Sequence, residues 1–207
     1  MAESVTRCVA TGVAGLSIED ATGNSSSPLY DLPVAAERVR AARQAIDQSG
    51  EDVLLTARAE CYHVGHPDPF HESVRRLQAY AAAGADVLFA PGVQNPEEIK
   101  ALVEAVRPKP VNLLVGSLSE FTLDDIAAMG VRRVSVGGGL ARAAWGGFLR
   151  AARSLAEGGR FDGFEGAASG DELNASFADS DVAGSLSRYQ NRPMTPIEHW
   201  STSRPSP

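Results

Sequence analysis

Three times the chain repeats one short phrase: VATGVAGLSIED around Gly12, AAAGADVLFAPG around Gly84 and AAMGVRRVSVGG around Gly130. Each places a glycine at the end of a helix-forming stretch, follows it with an apolar run, and stops the run at polar or glycine residues. Such a glycine is a helix C′ residue able to take positive φ. The run is a strand buried on both faces, as parallel sheets require. The intervals between the glycines have room for two βα units apiece, and each holds a further strand-like run, DVLLTAR at 52–58 and PVNLLV at 110–115. Alternation of this kind predicts an α/β fold with a parallel sheet, whose chemistry belongs at the C-terminal ends of the strands.

The full order read along the chain is helix 3–11, strand 13–18, a polar Ser/Gly/Pro segment, and a helix that Pro33 opens and Gly50 ends. Strand 53–58, helix 70–83, strand 86–90, helix 96–106 and strand 110–115 follow. Helix 122–129 starts at Thr122, with Asp124 and Asp125 favourable against the helix dipole. Strand 131–136 meets Gly137-Gly138-Gly139, and then come helix 140–157 and a short helix from 171 to 177. Residues 1–178 form the expected domain. From 179 to 207 Ser, Arg and Pro dominate, which predicts a disordered tail because too little apolar surface remains to offset chain entropy.

The formal net charge is −7, which argues against nucleic acid or an anionic membrane surface as partner. No apolar run reaches the roughly 18 residues of a membrane span, and no signal-peptide core opens the chain. Two cysteines, Cys8 and Cys61, are too few for a disulfide scaffold. A cytoplasmic protein is expected.

Several strand ends carry chemistry. Glu19 and Asp20 close the first strand, and hard carboxylate oxygens there suit Mg²⁺ or, equally, a solvated loop. Arg58 and Glu60 close the second in LLTARAE. A guanidinium leaving an apolar strand needs an anion, either a substrate carboxylate or phosphonate held by its planar fork, or an ion pair with Glu19 or Glu60. Asn112 lies inside PVNLLV, where a buried amide must tie strands together or face a ligand. Gly137 and Gly138 can bring backbone N–H groups near an anion or simply pack a tight turn. Cys61, His63, His66 and His71 lie in a Pro-containing loop without zinc spacing and read as solvated or hydrogen-bonded side chains. Asn24-Ser25-Ser26 matches a glycosylation sequon, but nothing else points to secretion.

Taken together, GVAGLSIEDATG, LLTARAE, LQAYAAAGADVLFAPG, KPVNLLV and VRRVSVGGGLARAAWGGFLRAA resemble the isocitrate lyase/phosphoenolpyruvate mutase superfamily over residues 1–177, nearest to its phosphonomutase-like branch. The resemblance implies a (β/α)8 TIM-barrel type of fold, with Mg²⁺ and a 2-oxo-acid or enolpyruvyl group held at the C-terminal mouth. It implies C–C or P–C bond formation or cleavage beside a carboxylate, through an enolate-like intermediate stabilised by metal and Arg. By motif position Glu19 matches a metal-shell acid, Arg58 the substrate clamp and Asn112 a polar residue lining the site. A small-molecule carboxylate is the expected substrate.

The chain also departs from that pattern. It starts within the helix that precedes the family's fourth strand, so five C-terminal βα units are expected and strands 1–3 are missing, together with the D-x-D aspartates that follow strand 3. The loop after the first strand, ATGNSSSPLYDLP, has no Lys-x-Cys-Gly-His motif, and Ala90-Pro91 stand where lyases carry Glu and the mutase His. The expectations are therefore weak or absent Mg²⁺ binding and an inactive chain as it stands. Open strand edges favour association, so a homo-oligomer is expected. The alternative reading is a non-catalytic fragment or pseudoenzyme that acts only through subunit association.

Overall fold

The structure, a computed structural model, describes residues 1–117 and 119–177. The tail expected over 179–207 lies outside the described residues. The elements run α1 (Ala2–Val9), β1 (Gly15–Glu19), α2 (Leu32–Ser49), β2 (Leu54–Arg58), α3 (Pro69–Ala82), β3 (Val87–Phe89), α4 (Pro96–Ala105), β4 (Val111–Leu114), α5 (Leu123–Ala128), β5 (Arg133–Ser135) and α6 (Gly139–Gly158). A 3-10 turn (Asp162–Phe164) and α7 (Gly170–Ser176) complete the order. Every expected element is present. The 3-10 turn was not foreseen.

The local reasons are legible. Pro33, Pro69 and Pro96 stand in the first turns of α2, α3 and α4, where a missing N–H is harmless. Asn95 caps α4 by accepting from the N–H groups of Glu97 and Glu98. Thr122 and Asp125 form a reciprocal capping box on α5. Gly84 and Gly130 end the preceding segments at φ +101° and +88°. A Cβ would come within 2.7 Å of Arg43 Cγ at Gly84 and 2.8 Å of Val103 Cγ1 at Gly130. Glycine is required twice over at these positions, by dihedral and by packing.

The described residues divide into two compact units, Met1–Trp145 and one that begins at Gly146. In the first, five parallel strands lie in the order β1-β2-β3-β4-β5. Sequential order with crossovers of one hand puts the connecting helices on one face, the arrangement of a barrel wall. Leu55, Ala57 and Leu88 point to that face and are fully buried, with Ile46 of α2, Leu77 of α3 and Leu102 of α4 against them. Each of these leucines and Ile46 contributes roughly 1.5–3 kcal/mol by leaving water. In the second unit, the rest of α6 leads into the 3-10 turn, where Asp162 takes hydrogen bonds from Ser154 and Arg160.

Side chains alternate across a strand, so the register fixes what lies on the face opposite the helices. Glu19 is level with Arg58, Arg58 with Phe89, Phe89 with Asn112, and Asn112 with Arg133. One row thus crosses all five strands, at the C-terminal ends of β1, β2 and β3 and near the N-terminal ends of β4 and β5. For a sheet face it is unusually polar.

Candidate active site

Arg58 is the centre of that row. Its Nε and Nη2 both lie 2.7 Å from Glu60 Oε1, and its Nη1 lies 3.5 Å from Glu19 Oε2. The guanidinium also rests over the Phe89 ring, 5.1 Å from the centroid, a favourable placement for a cation. Glu60 is buried, with its side chain only 6% exposed, whereas Glu19 is 53% exposed. One edge of the fork is therefore locked by Glu60. The Nη1 end lies beside the half-exposed Glu19, at a distance too long for a strong hydrogen bond. Both ion pairs considered for Arg58 on sequence grounds are present, and they orient it.

Asp20 behaves differently from its neighbour. It is 3% exposed and lies on the helix-covered side of β1, because adjacent residues on a strand face opposite ways. Its Oδ1 accepts the Glu60 N–H at 2.9 Å, and its Oδ2 receives Arg76 Nη1 at 3.1 Å together with the Tyr80 hydroxyl. Arg76 also bonds Glu72 Oε1 at 2.7 Å and the Tyr30 carbonyl at 2.9 Å. Burial, then the Asp20 carboxylate, pushes the Tyr80 phenol far above its ordinary value. This network clamps α3 to the strand ends and fixes the backbone from which Glu60 projects. Glu19 and Asp20, paired in the sequence, serve opposite faces of the sheet.

Asn112 is 2% exposed. Its Nδ2 donates to Ser135 Oγ at 2.9 Å, while its Oδ1 finds no donor among the described residues. Arg133, next in the row, sends Nη1 across β4 and β3 to Thr56 Oγ1 at 3.0 Å. At the end of β5, Gly137 takes φ +51°, and a Cβ on Gly138 would meet Arg142 Nη1 at 3.1 Å. Arg142 reaches on to the Gly116 carbonyl. The glycine turn thus packs beneath a cation of α6. Arg133 and Arg142 were not singled out from the sequence. Period-2 alternation along 131–136 groups Arg133 with Ser135, but only the register shows that they share a face with Arg58.

The loop after β2 scatters its cysteine and histidines. Cys61 is fully buried, and burial pushes its thiol up. His71 Nδ1 lies 2.9 Å from Asp68, holding that carboxyl below its usual range. His66 Nδ1 accepts the Asp68 N–H. His63 Nδ1 lies 2.9 Å from Glu60 Oε2, the oxygen that Arg58 leaves free. His63 also borders a cleft of about 470 Å³ at the ends of β3 and β4, with Gly92, Gln94, Gly116, Glu120 and Arg142 on its walls. Glu19, Arg58 and Asn112 do not line this cleft, which adjoins their surroundings at His63, the partner of Glu60, and at Leu113 and Leu114 of β4. No group of three His, Cys, Asp or Glu side chains among the described residues is placed to hold a metal. The hard oxygens of Glu19 suit Mg²⁺, so the fit extends to one carboxylate.

The family model for phosphoenolpyruvate phosphomutase matches residues 1–156. A crystal structure of a candidate lyase/mutase from Burkholderia cenocepacia J2315 is 44% identical and superposes with a TM-score of 0.81, covering 87% of this chain and 64% of that one. An uncharacterised protein of Mycobacterium tuberculosis H37Rv is 29% identical over 88% of this chain and 62% of its own length. An oxaloacetate decarboxylase of Paraburkholderia xenovorans LB400 is 35% identical over 59% of this chain and 40% of its own length. The chain spans about three-fifths of the curated relative from M. tuberculosis. The repeated βα units, the IED and AR-x-E strand ends and the matched family together place this chain in the phosphoenolpyruvate mutase/isocitrate lyase superfamily.

Proposed function

We propose that the chain serves the superfamily's chemistry on a small carboxylate, a 2-oxo-acid or enolpyruvyl compound, at the polar row on the helix-free face. The observation that carries this reading is Arg58: a guanidinium oriented on one edge by buried Glu60 and stacked on Phe89, with its Nη1 end held only loosely, 3.5 Å from Glu19. A fork held in this way receives a carboxylate without first losing side-chain freedom. It is equally placed to stabilise negative charge developing on a substrate oxygen. Glu60 and His63, 2.9 Å apart, are the pair able to exchange a proton beside it. The likeness to an oxaloacetate decarboxylase supports C–C cleavage next to a carboxylate.

Mg²⁺, when bound, supplies positive charge to an enolate-like oxygen, and Glu19 is the residue that would hold it. With one carboxylate available, these 207 residues bind the ion weakly, and turnover by the chain alone stays near background. Substrate class is therefore best tested by binding. Calorimetric titration of oxalate, in millimolar Mg²⁺, is expected to give weak saturable binding that Arg58→Ala weakens at least tenfold, the loss expected for a charged hydrogen bond of about 1.5–3 kcal/mol. Equal binding by both proteins would refute the reading.

A second reading, a subunit acting through association, is favoured by α6. None of its residues is buried, and Leu140, Trp145, Phe148, Leu149 and Leu155 are all exposed. We propose that this apolar stripe is where copies of the chain associate, whether or not the site turns over.

A further inference from the structure

The cleft beside the row takes no part in the proposed chemistry, and its walls are chemically divided. Its volume, about 470 Å³, is that of a small-molecule site, in which an apolar lining is joined to a few polar groups. Val93, Ile99 and Leu113 supply apolar lining and are themselves buried. Ile99 belongs to α4. Leu113 follows Asn112 on β4, so the two side chains face opposite sides of the sheet. The cleft therefore reaches the helix side and is distinct from the row that carries Arg58.

Two exposed charges of opposite sign line the same cleft, Arg142 from α6 and Glu120 from the connection between β4 and α5. Arg142 donates to the Gly116 carbonyl and forms no ion pair among the described residues. Most of its five N–H donors are thus unused. Glu120 accepts no hydrogen bond and meets no cation among the described residues. The two charges do not neutralise each other. Glu120 disfavours a dianion in the cleft, and Arg142 disfavours a simple cation. A molecule carrying one charge of each sign and an apolar body satisfies all three parts of the lining.

We propose that this cleft binds an amino acid with an apolar side chain, taken as the zwitterion. Its carboxylate meets Arg142, whose planar fork matches that group. Its ammonium meets Glu120, and its side chain covers Val93, Ile99 and Leu113. The site is independent of the carboxylate site at Arg58. The competing role for Arg142 is structural, as a tie from α6 to Gly116.

The test is an NMR titration of the 207-residue chain with L-leucine and three relatives. These are 4-methylpentanoate, which lacks the ammonium, 3-methylbutylamine, which lacks the carboxylate, and glycine, which lacks the apolar side chain. Leucine is expected to bind saturably, and each of the others at least about tenfold more weakly. Arg142→Met is expected to weaken leucine about tenfold or more and to bring it level with 3-methylbutylamine. Glu120→Gln is expected to weaken leucine as much and to bring it level with 4-methylpentanoate. Arg142→Lys, which keeps the charge, recovers part of the loss. A purely structural Arg142 would weaken all the ligands together and leave their ratios unchanged, which would overturn the proposal. Saturating oxalate is expected to leave the affinity for leucine unchanged; displacement of leucine would place both ligands in one site and overturn the separate cleft. Failure of leucine to bind, or equal binding by the unaltered chain and both variants, would also overturn it, while the reading of Arg58 is decided by the oxalate titration alone. Thermal melts identify any variant that does not fold, and if Arg142→Met is one of them, Glu120→Gln decides.

Discussion

At the scale of single residues, the buried contacts behind Arg58 make the sharpest demands. Asp20, Arg76 and Tyr80 are all less than a tenth exposed and satisfy one another. Removing one partner strands a charge in the interior, so Arg76→Met should cost about 3–5 kcal/mol of folding free energy, measured by urea denaturation. A loss below about 1 kcal/mol would show that the network is not desolvated as described. Glu72 gives a pH signature. Burial pushes its carboxyl up, but hydrogen bonds from Arg75 and Arg76 outweigh that and hold it below the ordinary glutamate value. A depressed carboxylate stabilises the fold fully above its unfolded pKa, about 4.3, and loses that contribution as pH falls through the folded value. Urea midpoints of the unaltered chain and Glu72→Gln should therefore differ at pH 7 and converge in strongly acidic buffer. A constant gap would contradict the assignment.

The same scale shows where reading the sequence stops. Arg58 and Glu60 stand out in LLTARAE because a charge at the end of an apolar strand needs a partner, and the partners are there. The Glu19-Asp20 pair is visible as chemistry, but its division between two faces follows from the strand continuing through Glu19. Arg133 looks like one half of a solvated Arg-Arg pair until pairing of β5 with β4 sets it level with Asn112. Register is a tertiary property, and no local pattern in VRRVSV encodes it.

At the scale of elements, the βα alternation and the helix starts follow from glycine, proline and capping residues acting over a few positions. Those signals are local, which is why they survive translation into structure almost intact. The strands are shorter than their apolar runs suggest: 86–90 becomes Val87–Phe89, since regular pairing needs partners on both sides and Pro91 follows at once. Asn95 offers a clean test of the local logic. It accepts two first-turn N–H groups of α4, and α4 buries Ile99, Leu102 and Val103. Asn95→Ala should cost about 1 kcal/mol, whereas Asn95→Asp should be nearly neutral. Equal losses in the two variants would point to packing at this position instead of capping.

At the scale of the whole molecule, apolar surface is unevenly covered. The helix sides of β2 and β3 are fully buried, and α6, for its part, leaves Phe148, Leu149 and Leu155 exposed. Exposed apolar stripes of this size mark interaction sites. Sedimentation of the 207-residue chain should therefore show concentration-dependent self-association, which Phe148→Glu together with Leu155→Glu removes. A monomer at every concentration would contradict the proposed surface. No helix among the described residues is long and apolar enough to cross a membrane. The central claim is that the helix-free face, at Arg58, receives a small carboxylate. A crystal structure of the chain grown with oxalate and Mg²⁺ tests it most directly. An oxalate oxygen is expected within about 3 Å of Arg58 Nη1. Oxalate bound only in the cleft beside Arg142, with Arg58 touching nothing but Glu19 and Glu60, would contradict it.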